Sequence, residues 1–187
     1  MRIIAGSAKG HRLKALKGLK TRPTLEKVRE AVFNVLGTQI VDAIFLDLFA
    51  GTGAMGIEAL SRGAAFCYFN DSARQAQEII RQNLAHCRLE DKARLFSLEA
   101  SQLLKHPPQE LQQTVNIVYV DPPYLSNQED ILLQLAESPI LADQAAVIVE
   151  TDSRTVLTEA TGKMGLTRKS IYGDTIIWYY RYKYVEV

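Results

Sequence analysis

Asp47-Leu48-Phe49-Ala50-Gly51-Thr52-Gly53-Ala54-Met55-Gly56 is the stretch that decides the fold of this chain. It begins inside an apolar run, residues 43–48, which predicts a buried strand. A helical pattern follows it to Arg62, with Gly63 as the stop. Gly51, Gly53 and Gly56 fit G-x-G-x-x-G in the strand-to-helix setting that a nucleotide-binding turn requires. Glycine allows a sharp turn there and a close backbone approach to a ligand. The plainer reading is a tight β–α turn with no ligand, and two well-placed acids speak against it. Asp71 follows Gly51 by 20 residues at the end of the next predicted strand, where a carboxylate can accept hydrogen bonds from ribose hydroxyls. That pairing alone also fits a dinucleotide. Asp47 separates the two ligands, because a carboxylate beside the turn suits a methionyl ammonium and repels a pyrophosphate at the same helix N-terminus. S-adenosylmethionine (SAM) is the expected ligand.

Outward from this turn, strands and helices alternate. Residues 65–69 read as a second strand, followed by a helix over 72–86. Residues 93–98 are a third, before a short helix broken by Pro107-Pro108. Residues 115–120 and 145–149 are the fourth and fifth, with a helix near 127–137 between them. Residues 166–172 and 175–184 predict an antiparallel hairpin around Gly173-Asp174. Toward the N-terminus, Thr24 is placed to cap a helix with apolar positions Leu25, Val28, Val32, Val35 and Leu36, ending at Gly37. Residues 2–5 and 11–16, linked through Gly6 and Gly10, predict a β-hairpin. The expected fold is a doubly wound, Rossmann-like α/β domain of seven strands, mostly parallel, with the last antiparallel. Residues 1–37 form the expected basic hairpin-and-helix extension, and 38–187 the main domain.

The chain has 187 residues, 47% of them hydrophobic and 23% charged, a balance that suits a packed core and argues against disorder. No apolar run is long enough to cross a bilayer and no signal peptide is recognisable. Cys67 and Cys87 form no C-x-x-C pair, and His11, His86 and His106 are scattered. Neither a zinc module nor a disulfide scaffold is expected, and a reducing cytoplasm is the expected setting. Net charge is +1, but residues 1–40 hold nine Lys/Arg against two acids, a local +7, which leaves −6 for the remainder. Arg2, Lys9, Arg12, Lys14, Lys17, Lys20 and Arg22 all precede the first acid, Glu26. A polyanionic partner and a solvated basic face both fit that charge pattern.

Asp121-Pro122-Pro123-Tyr124 directly follows the fourth strand, at the edge where α/β sheets bind ligands. The exocyclic amine of a base is a poor nucleophile because its lone pair is delocalised into the ring. A carboxylate and a backbone carbonyl accepting its two N–H bonds favour a pyramidal nitrogen with a localised pair. Two prolines stiffen such a loop and remove competing donors, and Tyr124 offers a ring on which a flipped-out base can stack. A merely rigid turn is the alternative.

Asp121 to Tyr124, with Asp47 to Gly53 upstream, resembles class I methyltransferases that act on exocyclic amines of nucleic-acid bases. Three N-terminal segments, Met1-Arg2-Ile3-Ile4-Ala5-Gly6, Gly18-Leu19-Lys20-Thr21-Arg22-Pro23-Thr24 and Val28-Arg29-Glu30-Ala31-Val32-Phe33-Asn34-Val35-Leu36, narrow this. With Tyr172-Gly173-Asp174-Thr175, the chain resembles the RsmD family, whose members methylate guanine N2 in 16S ribosomal RNA. The resemblance implies that Asp47, Phe49, Ala50, Gly51, Thr52 and Gly53 hold the methionyl side of SAM. It places Asp71 at the ribose, where a Glu is usual, and Glu99-Ala100 at the adenine. Asp121, Pro122, Pro123 and Tyr124 become the catalytic loop, the basic residues from Arg2 to Arg22 the RNA contacts, and no metal is implied. Asn70-Asp71-Ser72 is an unusual form of the ribose segment, and Glu26 stands where an Asp is commoner. Adenine N6 in DNA or RNA is the alternative target. An NAD oxidoreductase and an RNA-binding module without activity are the rival classes.

Cys67 and Cys87 read as core thiols, and His86 and His106 as residues at helix ends. Trp178-Tyr179-Tyr180, with Tyr182 and Tyr184, alternates as sheet packing does, more than as a base-stacking platform.

Overall fold

The computed structural model describes residues 1–15, 23–123 and 126–183. Lys17, Lys20, Arg22, Tyr124 and Tyr184 lie outside the described residues. The chain packs as two compact units, residues 1–98 and 99–187.

In the first unit, Pro23 opens α1 (Pro23–Leu36), since its fixed φ suits the first helical position and its missing N–H costs nothing there. Thr24 therefore stands inside the first turn and not ahead of it as expected. Val28, Val32 and Leu36 are buried as their spacing requires, and Phe33 joins them while Val35 stays half-buried. Strands β1 (Ile44–Asp47), β2 (Phe66–Asn70) and β3 (Ala93–Phe96) pair in parallel in the order β3-β2-β1. Helices α2 (Ala54–Ser61) and α3 (Arg74–Cys87) are the connections. Asp47 and Asn70 consequently end neighbouring strands at the carboxyl edge of the sheet.

The expected N-terminal hairpin shrinks to one antiparallel bridge, Arg2 to Arg12, with Ile3 N–H donating to His11 O and Leu13 N–H to Met1 O, both at 3.0 Å. Helix α2 captures the backbone that would have extended it. Glu58, 0% exposed, accepts from Ile4 N at 2.8 Å and Ala5 N at 3.0 Å. Ser61 accepts from Ser7 N through its carbonyl and from Ala8 N through its hydroxyl. The chain comes so close that a Cβ on Gly6 would lie 1.7 Å from the Ser61 carbonyl oxygen, and Gly6 also has φ +82°. Arg62 Nε, 2.7 Å away, and Arg29 Nε, 3.5 Å away, balance the Glu58 charge. Glu58→Ala would remove a buried carboxylate that neighbours Arg29 and Arg62 and accepts from Ile4 N and Ala5 N, and we expect a loss of about 3–5 kcal/mol. Urea denaturation should show it as a lower midpoint at unchanged slope.

The second unit holds α4 (Ala100–Lys105), β4 (Val115–Val120), α5 (Gln128–Glu137), β5 (Leu141–Asp152), β6 (Ala160–Thr161), β7 (Met164–Tyr172) and β8 (Thr175–Tyr182). Their order is β4-β5-β8-β7-β6, with β4 and β5 parallel and the other pairs antiparallel. The α/β class is as expected, but the strands among the described residues number eight, not seven. Gly162, at φ +53°, folds Ala160–Thr161 back onto the start of β7 as a two-residue strand, too short to leave a sequence pattern. Strand β5 also begins earlier than expected, through Gln144 at φ +58°. The β7–β8 turn is Gly173-Asp174, as expected, with Tyr172 paired to Thr175. Trp178, Tyr179, Tyr180 and Tyr182 are buried, with Trp178 Nε1 donating to Thr151 Oγ1 and the Tyr180 hydroxyl to Thr158 O. They are sheet packing. Cys67 and Cys87 are buried thiols, and burial pushes the Cys67 thiol well up. His86 is exposed near the end of α3, and His106 follows α4 directly.

Candidate active site

The turn between β1 and α2 takes its shape from glycine. Gly51 and Gly53 sit at φ +55° and +78°, and the second is the cap of α2. Gly56 packs α2 against β2 so closely that a Cβ there would lie 2.3 Å from the Phe69 ring and 2.6 Å from Cys67 Sγ. Asp47, Ala50 and Gly53 are buried beneath the turn, while Phe49, Gly51 and Thr52 are half-buried.

The amides of the turn are spent on carboxylates. Gly51 N–H donates to Asp71 Oδ2 at 2.8 Å and Gly56 N–H to Asp47 Oδ2 at 3.0 Å, while Gly53 N–H turns back to Ala50 O. A pyrophosphate would need those N–H groups for itself. Two carboxylates at the carboxyl ends of β1 and β2 instead suit a ligand that carries positive charge and hydroxyl donors, as SAM does. These acceptors fit that cofactor. Asp71 also accepts from Ala73 N at 2.9 Å, which holds its carboxylate at the start of α3.

Asp47 is 2% exposed, and burial first, then the nearby Asp71 charge, outweighs the Gly56 hydrogen bond and pushes its pKa up to about 7. The unusual Asn70 proves structural. It is buried, donates to Leu48 O and Leu98 O, accepts from Leu98 N, and so ties β1, β2 and the end of β3 together beside Asp71.

In the second unit, Asp121 is exposed just past β4, Pro122 is buried behind it, and Pro123 O accepts from Ser126 N at 2.9 Å. Asn127 caps α5 by accepting from Asp130 N, so both ends of this loop are braced. Glu99 is the exposed cap residue of α4, and Ala100 is buried in its first turn. Two residues before Asp121, the Tyr119 hydroxyl donates to the Glu150 carboxylate, whose pKa burial raises. Among the described residues no group of three His, Cys, Asp or Glu is placed to hold a metal, and no helix is long and apolar enough to cross a membrane.

The family described as Conserved hypothetical protein 95 matches residues 1–181. Ribosomal RNA small subunit methyltransferase D from Escherichia coli K12 is 36% identical over 177 residues, which covers 93% of this chain and 86% of that protein. The chain belongs to the RsmD family. YlbH from Bacillus subtilis is similar to it at 37% identity over 182 residues, 97% of this chain and 98% of that one. The solved structure of Escherichia coli yhhF shares the fold with a TM-score of 0.85 at 33% identity, covering 98% of each chain. Membership thus spans the basic N-terminal segment, the glycine turn and the Asp121 loop together.

Reading of the sequence missed Glu58, Ser61 and Asn83, which hold the basic segment in place. Glu58 did leave a signal, as a single acid inside the otherwise apolar run Ala54 to Leu60. Of the basic residues, Lys9, Arg12 and Lys14 are exposed, whereas Arg2 is paired with Glu26 at 3.7 Å.

Proposed function

We propose that this chain transfers the methyl group of SAM to the exocyclic N2 of a guanine in small-subunit ribosomal RNA. The observation that carries the cofactor half is the turn whose amides are held by Asp47 and Asp71. The name of the Escherichia coli relative supports the RNA half. When bound, SAM supplies an electrophilic methyl on a sulfonium. Asp71 accepts from the ribose hydroxyls, Asp47 sets negative charge beneath the methionyl ammonium, and Phe49 to Gly53 line that side. Glu99-Ala100 flank the adenine.

The target amine is the task of the Asp121 loop. Asp121 and the Pro122 carbonyl accept its two N–H bonds, localise its lone pair and take up the positive charge that develops on nitrogen. Pro123 stiffens the loop, and Tyr124 stacks on the base. Acceleration comes from positioning and electrostatics, with no covalent enzyme intermediate and no metal required. Residues 1–37 act as the RNA-engaging extension of a body over 38–187, in a cytoplasmic setting. The test is incubation of small-subunit RNA, free and in particles, with tritiated SAM, followed by nucleoside analysis. Label in N2-methylguanosine is expected, and label in N6-methyladenosine would transfer the reading to the adenine alternative.

The exposure of Lys9, Arg12 and Lys14 supports their contact with a phosphate backbone, whereas the proposed SAM ligands begin at Asp47. Replacing all three with Gln should weaken RNA binding and flatten its salt dependence, while SAM binding stays intact. Each lost phosphate contact lowers the log–log salt slope by about 0.7 to 0.9. RNA titrations across a salt series read this directly, and a parental slope would make the segment a solvated face.

A further inference from the structure

Asn83 lies on α3, 1% exposed, with its whole side-chain amide committed to backbone groups of two distant segments. Its Oδ1 accepts from Lys14 N at 2.8 Å. Its Nδ2 donates one hydrogen to Lys14 O at 3.1 Å and the other to Thr52 O at 2.8 Å. Lys14 belongs to the basic segment, and Thr52 stands between the two positive-φ glycines of the turn. One rigid, planar group therefore joins the backbone of the one to the backbone of the other.

We propose that Asn83 is a positioning residue that couples the two sites, so that a ligand seated on the glycine turn and RNA on the basic segment bind cooperatively. This rests on the reading of the turn as the SAM site and of the segment as an RNA contact. An amide plane has fixed directions for its three hydrogen bonds. A ligand that closes on the turn and fixes Thr52 fixes the plane of Asn83, and the plane sets the backbone of Lys14. The segment has little freedom to escape this constraint. Ile4, Ala5, Ser7 and Ala8 are held by Glu58 and Ser61 on α2, the helix that starts at the same turn. Lys14 Nζ is held again by Gln82, the neighbour of Asn83, at 2.8 Å. Linkage makes the effect reciprocal: whatever factor the cofactor adds to RNA affinity, RNA adds to cofactor affinity.

The experiment is a binding cycle with S-adenosylhomocysteine, which cannot react, and a small-subunit rRNA transcript. RNA affinity is measured with and without saturating S-adenosylhomocysteine, for the parent and for Asn83→Ala. In the parent, S-adenosylhomocysteine should tighten RNA binding about five-fold or more, and in Asn83→Ala the ratio should fall to about one. A residue that merely supports the fold would weaken either affinity without changing that ratio. Equal ratios in both proteins would overturn the proposal, as would a ratio near one in the parent when both ligands bind. If the parent binds one ligand and not the other, the function proposed above falls, and the coupling with it. Hydrogen exchange on the parent needs no variant: S-adenosylhomocysteine should slow exchange of the Lys14 amide, which donates to Asn83, and unchanged protection would also refute the coupling.

Discussion

Asp121→Ala is expected to lower kcat by about 10²-fold or more while S-adenosylhomocysteine affinity changes by no more than a few fold. The carboxylate is exposed at the carboxyl end of β4, behind a fully buried Val120. The loop around it is braced by buried Pro122 and by the bond from Ser126 to Pro123 O. Truncation therefore removes an acceptor without unseating the strand that presents it. Nitrogen gains positive charge only as the new bond forms, so an acceptor aimed at it acts more on the transition state than on either bound ligand. Asp47 and Asp71, the acids proposed for the cofactor, stand at the β1 and β2 ends and keep their hydrogen bonds to Gly56 and Gly51. Single-turnover methyl transfer with parallel calorimetry separates the two quantities, and near-parental turnover would remove Asp121 from the chemistry.

Asp47→Asn should make the free protein more stable at high pH while weakening its cofactor binding. The Asp47 pKa rises from an ordinary 3.8 to about 7, so the folded protein holds a proton that the unfolded chain has given up. Stability therefore falls as pH climbs from about 4 to 7, and above that range the buried charge costs on the order of 4 kcal/mol. Asparagine carries no charge and its side-chain oxygen can still accept from Gly56 N. The stabilisation should approach that figure at pH 8 and shrink toward zero near pH 4, which thermal unfolding at several pH values would follow. The same change strips negative charge from beneath the ammonium, and affinity should drop about ten-fold or more. In the parent at pH 7 a cationic ligand should pull the Asp47 pKa down and release protons. Calorimetry in buffers of different ionisation enthalpy detects that release.

The legible parts of the chain were those in which neighbours along the sequence decide the outcome. Apolar runs marked β1, β2, β4 and the middle of β5 because a strand buried on both faces needs apolar side chains on both. Strand β3, with Arg94 exposed, was marked by a shorter alternation. Gly173-Asp174 marked the β7–β8 turn, Gly51 and Gly53 marked a bend at positive φ that glycine favours, and Gly56 marked packing too close for a Cβ. Within each unit, strand ends marked where these acids fall: Asp47 closes β1, Asp71 follows β2 directly, and Asp121 follows β4 directly.

Long-range polar bonding was not legible, because it leaves no period in the sequence. Alternation in residues 2–5 and 11–16 predicted paired strands, yet Glu58 and Ser61, more than 50 residues away, took the amides of residues 4, 5, 7 and 8 and left one bridge. Asn70 looked like an odd ribose residue and is a strand tie. Asn83, with no pattern to distinguish it on its helix, joins the basic segment to the turn. The sequence by itself determined the alternating strands and helices from β1 to β5 and the glycine bends, through side-chain period and turn stereochemistry. Only the tertiary structure decided which buried amide meets which carboxylate, because those bonds form between groups that burial has cut off from water and that must find partners within reach.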